Sequence, residues 1–221
     1  MEIPRFGKGT AADKANELDY DRMKRSTRQG DDAPLEGARY RRVLRAAEAL
    51  FTLAGFRGVT MEEVARDASV AKATLYSYFR SKDELFIAVC ERMAGALRKA
   101  FLDAAESAGP SVDARAQAAV IAKHRLAFTA IRGSAHAKDL LFEKDHLAGE
   151  IFARVESEML AALTATLERD PALAARAARV ARAIYFGSGA IASAATTVPE
   201  LEDELGEFVR TYLRGARATR R

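Results

Sequence analysis

The chain has no tryptophan, one cysteine and five prolines among 221 residues. A lone Cys90 excludes an internal disulfide, and its neighbours Ile87, Val89 and Met93 make a small buried thiol the ordinary reading. No uninterrupted apolar stretch approaches the length that spans a bilayer. No basic start followed by an apolar run opens the sequence either, so neither export nor a membrane location is expected. The expected setting is reducing and cytoplasmic. Alternating Val, Ile and Thr runs are also missing, which leaves an all-α composition rich in Ala and Arg. There is no Gly-rich phosphate loop, G-x-S-x-G elbow or H-E-x-x-H helix, and no histidine stands in an obvious position to activate Cys90. No catalytic residue, cofactor or metal is therefore assigned, and the chain is not read as an enzyme.

Residues 60–85 carry the densest punctuation. Thr60 followed by Glu63 has capping-box spacing and starts a helix near Met61, with Val64, Ala65 and Ala68 on one face. Ser69 interrupts it, and Val70 plugs the turn. A second short helix over residues 72–79 turns Leu75 and Phe79 inward, leaving Lys72, Thr74, Tyr76 and Ser77 outward. Cations, hydroxyls and a phenol are the groups that bond phosphate oxygens and base edges. Ser81 and Glu84 repeat the capping spacing, so a further helix follows at once. Two short helices joined by a tight turn describe a helix-turn-helix, although short helix pairs also occur as ordinary core corners.

The segment GFRGVTMEEVARDASVAKATLYSYFRSKDELF resembles the N-terminal DNA-binding domain of TetR/AcrR-type transcriptional regulators. The resemblance rests on Gly55-Phe56, the Thr60 cap, Thr74-Leu75-Tyr76 with Phe79, and the Ser81-Lys82-Asp83-Glu84-Leu85 start of the next helix. It covers about a fifth of the chain. It implies an N-terminal three-helix domain with the helix-turn-helix over residues 39–85 and a helical ligand-binding and dimerisation domain over residues 86–221. It further implies DNA contacts from Arg41, Arg45, Thr60, Lys72, Thr74, Tyr76, Ser77, Tyr78 and Lys82. The expected partners are a double-stranded operator, a small-molecule effector and a second copy of the chain, in a repressor that the effector releases.

The remaining residues fill in that plan. Residues 1–38 read as a mostly flexible extension whose cluster Arg22, Lys24, Arg25 and Arg28 suits either an arm in the minor groove or a solvated tail. Val43, Leu44, Ala47, Leu50 and Phe51 give helical spacing over residues 39–54, closed by Gly55. Further helices are expected from Leu85 to about Ala108, over 112–131, over 136–143, onward to about Glu168, over 172–196 and over 199–214. Aromatics and neighbours in the second domain are core or pocket candidates: Met93, Phe101, His124, Arg125, Phe128, Phe142, Phe152, Met159, Tyr185 and Phe186.

Small residues on the penultimate helix, with Tyr185, Phe186 and Ile191, and a last-helix stripe of Leu201, Leu205, Phe208 and Tyr212 suggest a four-helix dimer interface. A competing reading is a helical-bundle metal protein or enzyme. It would use Asp139, Glu143, His146 and Glu150, which share a helix face, although such sites need a second Glu-x-x-His motif.

Overall fold

The computed structural model describes residues 33–131 and 134–218, and among these every regular element is helical. The basic cluster at 22–28 lies outside the described residues. Helix α1, Ala33–Ala54, starts ahead of the expected residue 39, with Pro34 in its first turn, where a missing N–H costs nothing. It ends at Gly55, whose φ of 73° is the left-handed cap that an unbranched backbone takes without strain. Helices α2, Met61–Asp67, and α3, Lys72–Tyr78, follow; α4, Lys82–Ser107, completes the first domain and runs on into the second.

The local signals are realised atom by atom. The Thr60 hydroxyl accepts from the Glu63 amide at 3.3 Å, and the Glu63 carboxylate accepts from the Thr60 amide at 2.8 Å. Ser69 turns the chain with φ 52°. Leu75 is wholly buried, and Phe79 caps α3 from within the same core. Val43, Ala47, Phe51, Phe56, Val64, Leu85 and Phe86 complete that core, with the rings of Phe51, Phe56 and Phe86 within 5.0–5.8 Å of one another.

The second domain adds α5, Val112–Ile131; α6, Ala137–Glu168; a 3₁₀ turn, Ala174–Arg176; α7, Ala177–Ala194; and α8, Val198–Ala218. Helix α6 is one 32-residue helix where two were expected. Nothing in 137–168 breaks it: there is no proline, and Gly149 has open space around its Cα, so its cost stays near 1 kcal/mol. Its first half packs on the helix-turn-helix core through Ala148, Leu140, Leu147 and Ile151, so the boundary at residue 86 is no gap. Helix α4 is shared likewise, burying Leu85 and Phe86 in one core and Ala94 and Phe101 in the other.

One sequence expectation about the dimer is corrected. Leu201 and Leu205 have no solvent exposure and Tyr185 only 4%, because the α8 stripe of Leu201, Leu205, Val209 and Leu213 seals the subunit's own core. Gly187 also serves within the chain: a Cβ there would lie 2.8 Å from the Phe208 ring. Of the proposed interface residues, Phe186 and Tyr212 remain exposed, and Ile191 and Phe208 are half-buried.

Arg217 ties three ends together. Its guanidinium donates to Asp170 Oδ2 at 2.7 Å and to both oxygens of Asp113, joining the α6–α7 turn, the start of α5 and the end of α8. The Arg217 hydrogen bond holds the Asp170 carboxyl below its usual range. A depressed folded value means stability present above the unfolded pKa and lost as pH falls through the folded one. Arg217→Met is expected to cost about 2 kcal/mol at neutral pH. In thermal melts, the gap to the parent chain should narrow below about pH 4.

Candidate nucleic-acid interface

With Leu75 and Phe79 buried, the 3.6-residue repeat forces Lys72, Tyr76 and Ser77 to the outside of α3, and all three are exposed. Lys72 forms an ion pair with Glu62 of α2, and that bond raises its pKa. Its ammonium also lies 5.7 Å from the Tyr76 ring. The Ser77 hydroxyl donates to the Thr74 carbonyl at 2.7 Å, and Thr74 is half-buried. Tyr78 is half-buried too: its ring meets Tyr40 edge-on at 5.6 Å, while Tyr40 stacks on Phe79 at 5.5 Å. The Thr60 hydroxyl is engaged in its capping box, and Arg41 and Arg45 are exposed on α1. The solvent-facing set on the recognition side is therefore Lys72, Tyr76 and Ser77, with the α1 arginines flanking it.

Lys82 has a second occupation that the sequence did not signal. Its ammonium donates to the carbonyls of Phe56 at 2.9 Å and Val59 at 3.0 Å, and lies 4.5 Å from the Phe56 ring. It braces the α1–α2 loop against the start of α4. An ammonium has three N–H donors, so one remains for an outside acceptor.

The same loop is gripped from the second domain. Asp139 accepts from the Phe56 amide at 3.3 Å, and the Ser134 hydroxyl donates to the Thr52 carbonyl at 2.6 Å. These contacts span more than 80 residues of sequence, beyond the reach of any local pattern. Asp139 is thus spent on the loop, and His146 stacks on Phe142 at 6.4 Å. Among the described residues no three His, Cys, Asp or Glu side chains come together as a metal site.

The pocket candidates scatter. Phe101, Met159 and Tyr185 are packed in the core because they occupy the inner faces of closely apposed helices. Phe142 is 63% exposed, while Met93, Phe128 and Phe152 are half-buried. His124 is buried and shares a hydrogen bond with the Ser188 hydroxyl at 2.9 Å; burial pushes its pKa down to about 3, so it is neutral. Its neighbour Lys123, lowered by burial to about 8, lies 3.9 Å from the Tyr185 ring. An open depression of about 490 Å3 between α4 and α5 is lined by residues such as Ala100, Asp103, Leu126 and, of the candidates, Arg125. Burial raises the Cys90 thiol to about 12, which keeps it protonated and unreactive.

A three-helix unit whose third helix projects a polar face from a two-sided core, with a longer helix carrying it into a helical domain, defines a helix-turn-helix protein. Residues 43–89, about a fifth of the chain, match the family model described as "Bacterial regulatory proteins, tetR family". A 44-residue stretch is 46% identical to YhgD of Bacillus subtilis, described as an uncharacterized HTH-type transcriptional regulator. That match spans 20% of this chain and 23% of YhgD, about a quarter of the curated relative's length.

The likeness of fold extends further. A transcriptional regulator from Aquifex aeolicus aligns over 78% of this chain and 98% of its own, with TM-score 0.59 and 18% identity. A TetR-like regulator from Rhodococcus aligns over 85% and 100%, with TM-score 0.58 and 22% identity. FadR of Bacillus subtilis, solved with stearoyl-CoA, aligns over 77% and 97%, with TM-score 0.57 and 16% identity. At these identities it is the fold that is shared.

Lys82→Met is expected to lower the stability of the helix-turn-helix domain by about 2 kcal/mol, since the Phe56 and Val59 carbonyls each lose a charged donor. Urea unfolding followed by tyrosine fluorescence checks this.

Proposed function

We propose that this chain is a DNA-binding transcriptional regulator that acts as a homodimer on a near-palindromic operator and is released from it by a small molecule. The observation that carries the reading is the outer face of α3. Lys72, Tyr76 and Ser77 project from a helix fixed by Leu75 and Phe79, in a domain that matches the family's DNA-binding segment. In this reading α3 enters the major groove. Lys72 and Thr74 approach base edges, while Tyr76, the free N–H of Lys82 and the α1 arginines meet phosphates. Lys72 exchanges Glu62 for DNA, at little cost because the pair is exposed.

Homodimerisation is supported by an apolar strip left open on α7 and α8. Phe186 is 48% and Tyr212 36% exposed, next to half-buried Phe208 and Ile191. Isolated surface aromatics are common, but a group on two adjacent helices fits a two-fold four-helix contact. The second domain is the place for an effector in this reading; FadR, which shares the fold, is solved in complex with stearoyl-CoA. That complex fixes no effector class for this chain.

Selection of duplexes from a random-sequence pool by the purified chain tests the reading. The expected outcome is one enriched motif with inverted half-sites about one helical turn apart, near 34–36 Å. A chain carrying Phe186→Glu should select it poorly while keeping its fold. Enrichment of no motif, or of a single asymmetric half-site, would overturn the regulator or the dimer respectively.

A further inference from the structure

We propose that the effector is a small organic acid whose carboxylate docks on the Lys123 ammonium and the Tyr185 hydroxyl, where α5, α6 and α7 meet; this rests on the effector reading above. The feature behind it is a layer of polar groups set across an otherwise apolar core.

Lys123 of α5, Glu156 of α6, and Tyr185 and Ser188 of α7 make up that layer. On its far side the core is sealed, with Ala119, Met159 and Ala181 at most 3% exposed. One helical turn the other way, toward the helix-turn-helix, Ala127, Phe152, Gly189 and Ala192 are all half-buried. Gly189 shares the face of Tyr185 one turn beyond it, and a Cβ there would meet nothing within 4 Å. Space therefore lies directly beside the polar layer.

The bonds within the layer set the chemistry of what fills it. The Ser188 hydroxyl donates to the Tyr185 carbonyl at 2.7 Å, so it accepts from the His124 Nε2–H at 2.9 Å, and this chain pins α5 to α7. Lys123 and Tyr185 keep unused capacity. The Lys123 ammonium, over the Tyr185 ring, makes no hydrogen bond or ion pair among the described residues, and the Tyr185 hydroxyl has no partner among them either. Burial lowers the Lys123 pKa, and Glu156 acts against that fall without pairing.

An ammonium carries three N–H donors, and leaving them unmet in a half-buried place is costly. An anion relieves that cost through charge-assisted bonds. Two donors, one on each residue, suit the two oxygens of a carboxylate, while Glu156 disfavours a dianion. Phe152, Ala127 and Ala192 suit an apolar body. Other cations near these helices are engaged: Lys144, 4.6 Å from the Phe152 ring, pairs with Asp145, and Arg125 pairs with Glu202 at 3.2 Å. Phe152 packs against both cores, so a body seated on it bears on the part of α6 that holds the helix-turn-helix.

The probes are benzoate, phenylacetate and hexanoate, each beside its primary amide, titrated calorimetrically into the full-length chain without DNA. At least one acid should bind, and its amide should bind about tenfold more weakly for want of a charged hydrogen bond. Lys123→Gln should weaken that acid about tenfold and leave the amide unchanged. Glu156→Gln should tighten the acid severalfold, an effect that a merely structural cluster would not produce. Gly189→Leu should abolish binding of both by filling the space. Each variant should melt cooperatively and bind the duplex that the parent selects, and the acid should release the parent from that duplex.

Binding of no acid, equal affinity for acid and amide, or a Lys123→Gln chain that binds the acid as the parent does would overturn the anchor. An acid that binds yet leaves the duplex bound would overturn its role as effector. A parent chain that selects no duplex overturns the regulator reading instead, and the calorimetry, done without DNA, stands apart from that result.

Discussion

The five residues from Gly55 to Val59 hold the molecule's working parts in register. Lys82 takes the carbonyls at both ends of the Phe56–Val59 stretch, Asp139 takes the Phe56 amide, and the Phe56 ring lies between Phe51, Phe86 and the Lys82 ammonium. Gly55 permits this closeness. Its left-handed φ turns the chain out of α1, and any Cβ there would lie 3.0 Å from the His136 ring. The end of α1, the start of α4 and the start of α6 thus meet at one backbone loop.

That arrangement explains how two cores act as one body. Helix α4 is buried in both, and α6 packs its first half on the helix-turn-helix and its second on the C-terminal core. A displacement of the start of α6 would reach α3 by two routes, through Asp139 and the Phe56 amide and through apolar contacts at Leu140, Leu147 and Ala148. Packed interfaces shift between discrete arrangements rather than deforming smoothly, so a modest movement there suffices to misalign a recognition helix. This is the physical basis on which release by an effector is proposed.

Much of the helix-turn-helix was legible because its signals are local. The Thr60–Glu63 capping box, the inward pair Leu75 and Phe79, and the bounds Val112–Ile131 each depend on residues within a turn or two of one another. The errors came where local pattern was silent. An unbroken α6 was divided near Glu143, although no residue there stops a helix. The α8 stripe was read as an interface because amphipathicity reports that a face is buried, not what buries it; Leu201 and Leu205 turned out to face their own subunit. The resemblance puts Lys82 beside phosphate, which its remaining N–H still allows, and a shared helix face made Asp139 a possible metal ligand. Their bonds to a loop 26 and 83 residues away could be found only in three dimensions.

The claim that the Gly55–Val59 loop couples α6 to the recognition helix is tested most directly by amide hydrogen exchange on full-length Asp139→Ala. The account predicts faster exchange at Phe56 and through residues 68–79, with α8 protected as in the parent chain. Loss confined to Phe56, with residues 68–79 exchanging as before, would contradict it.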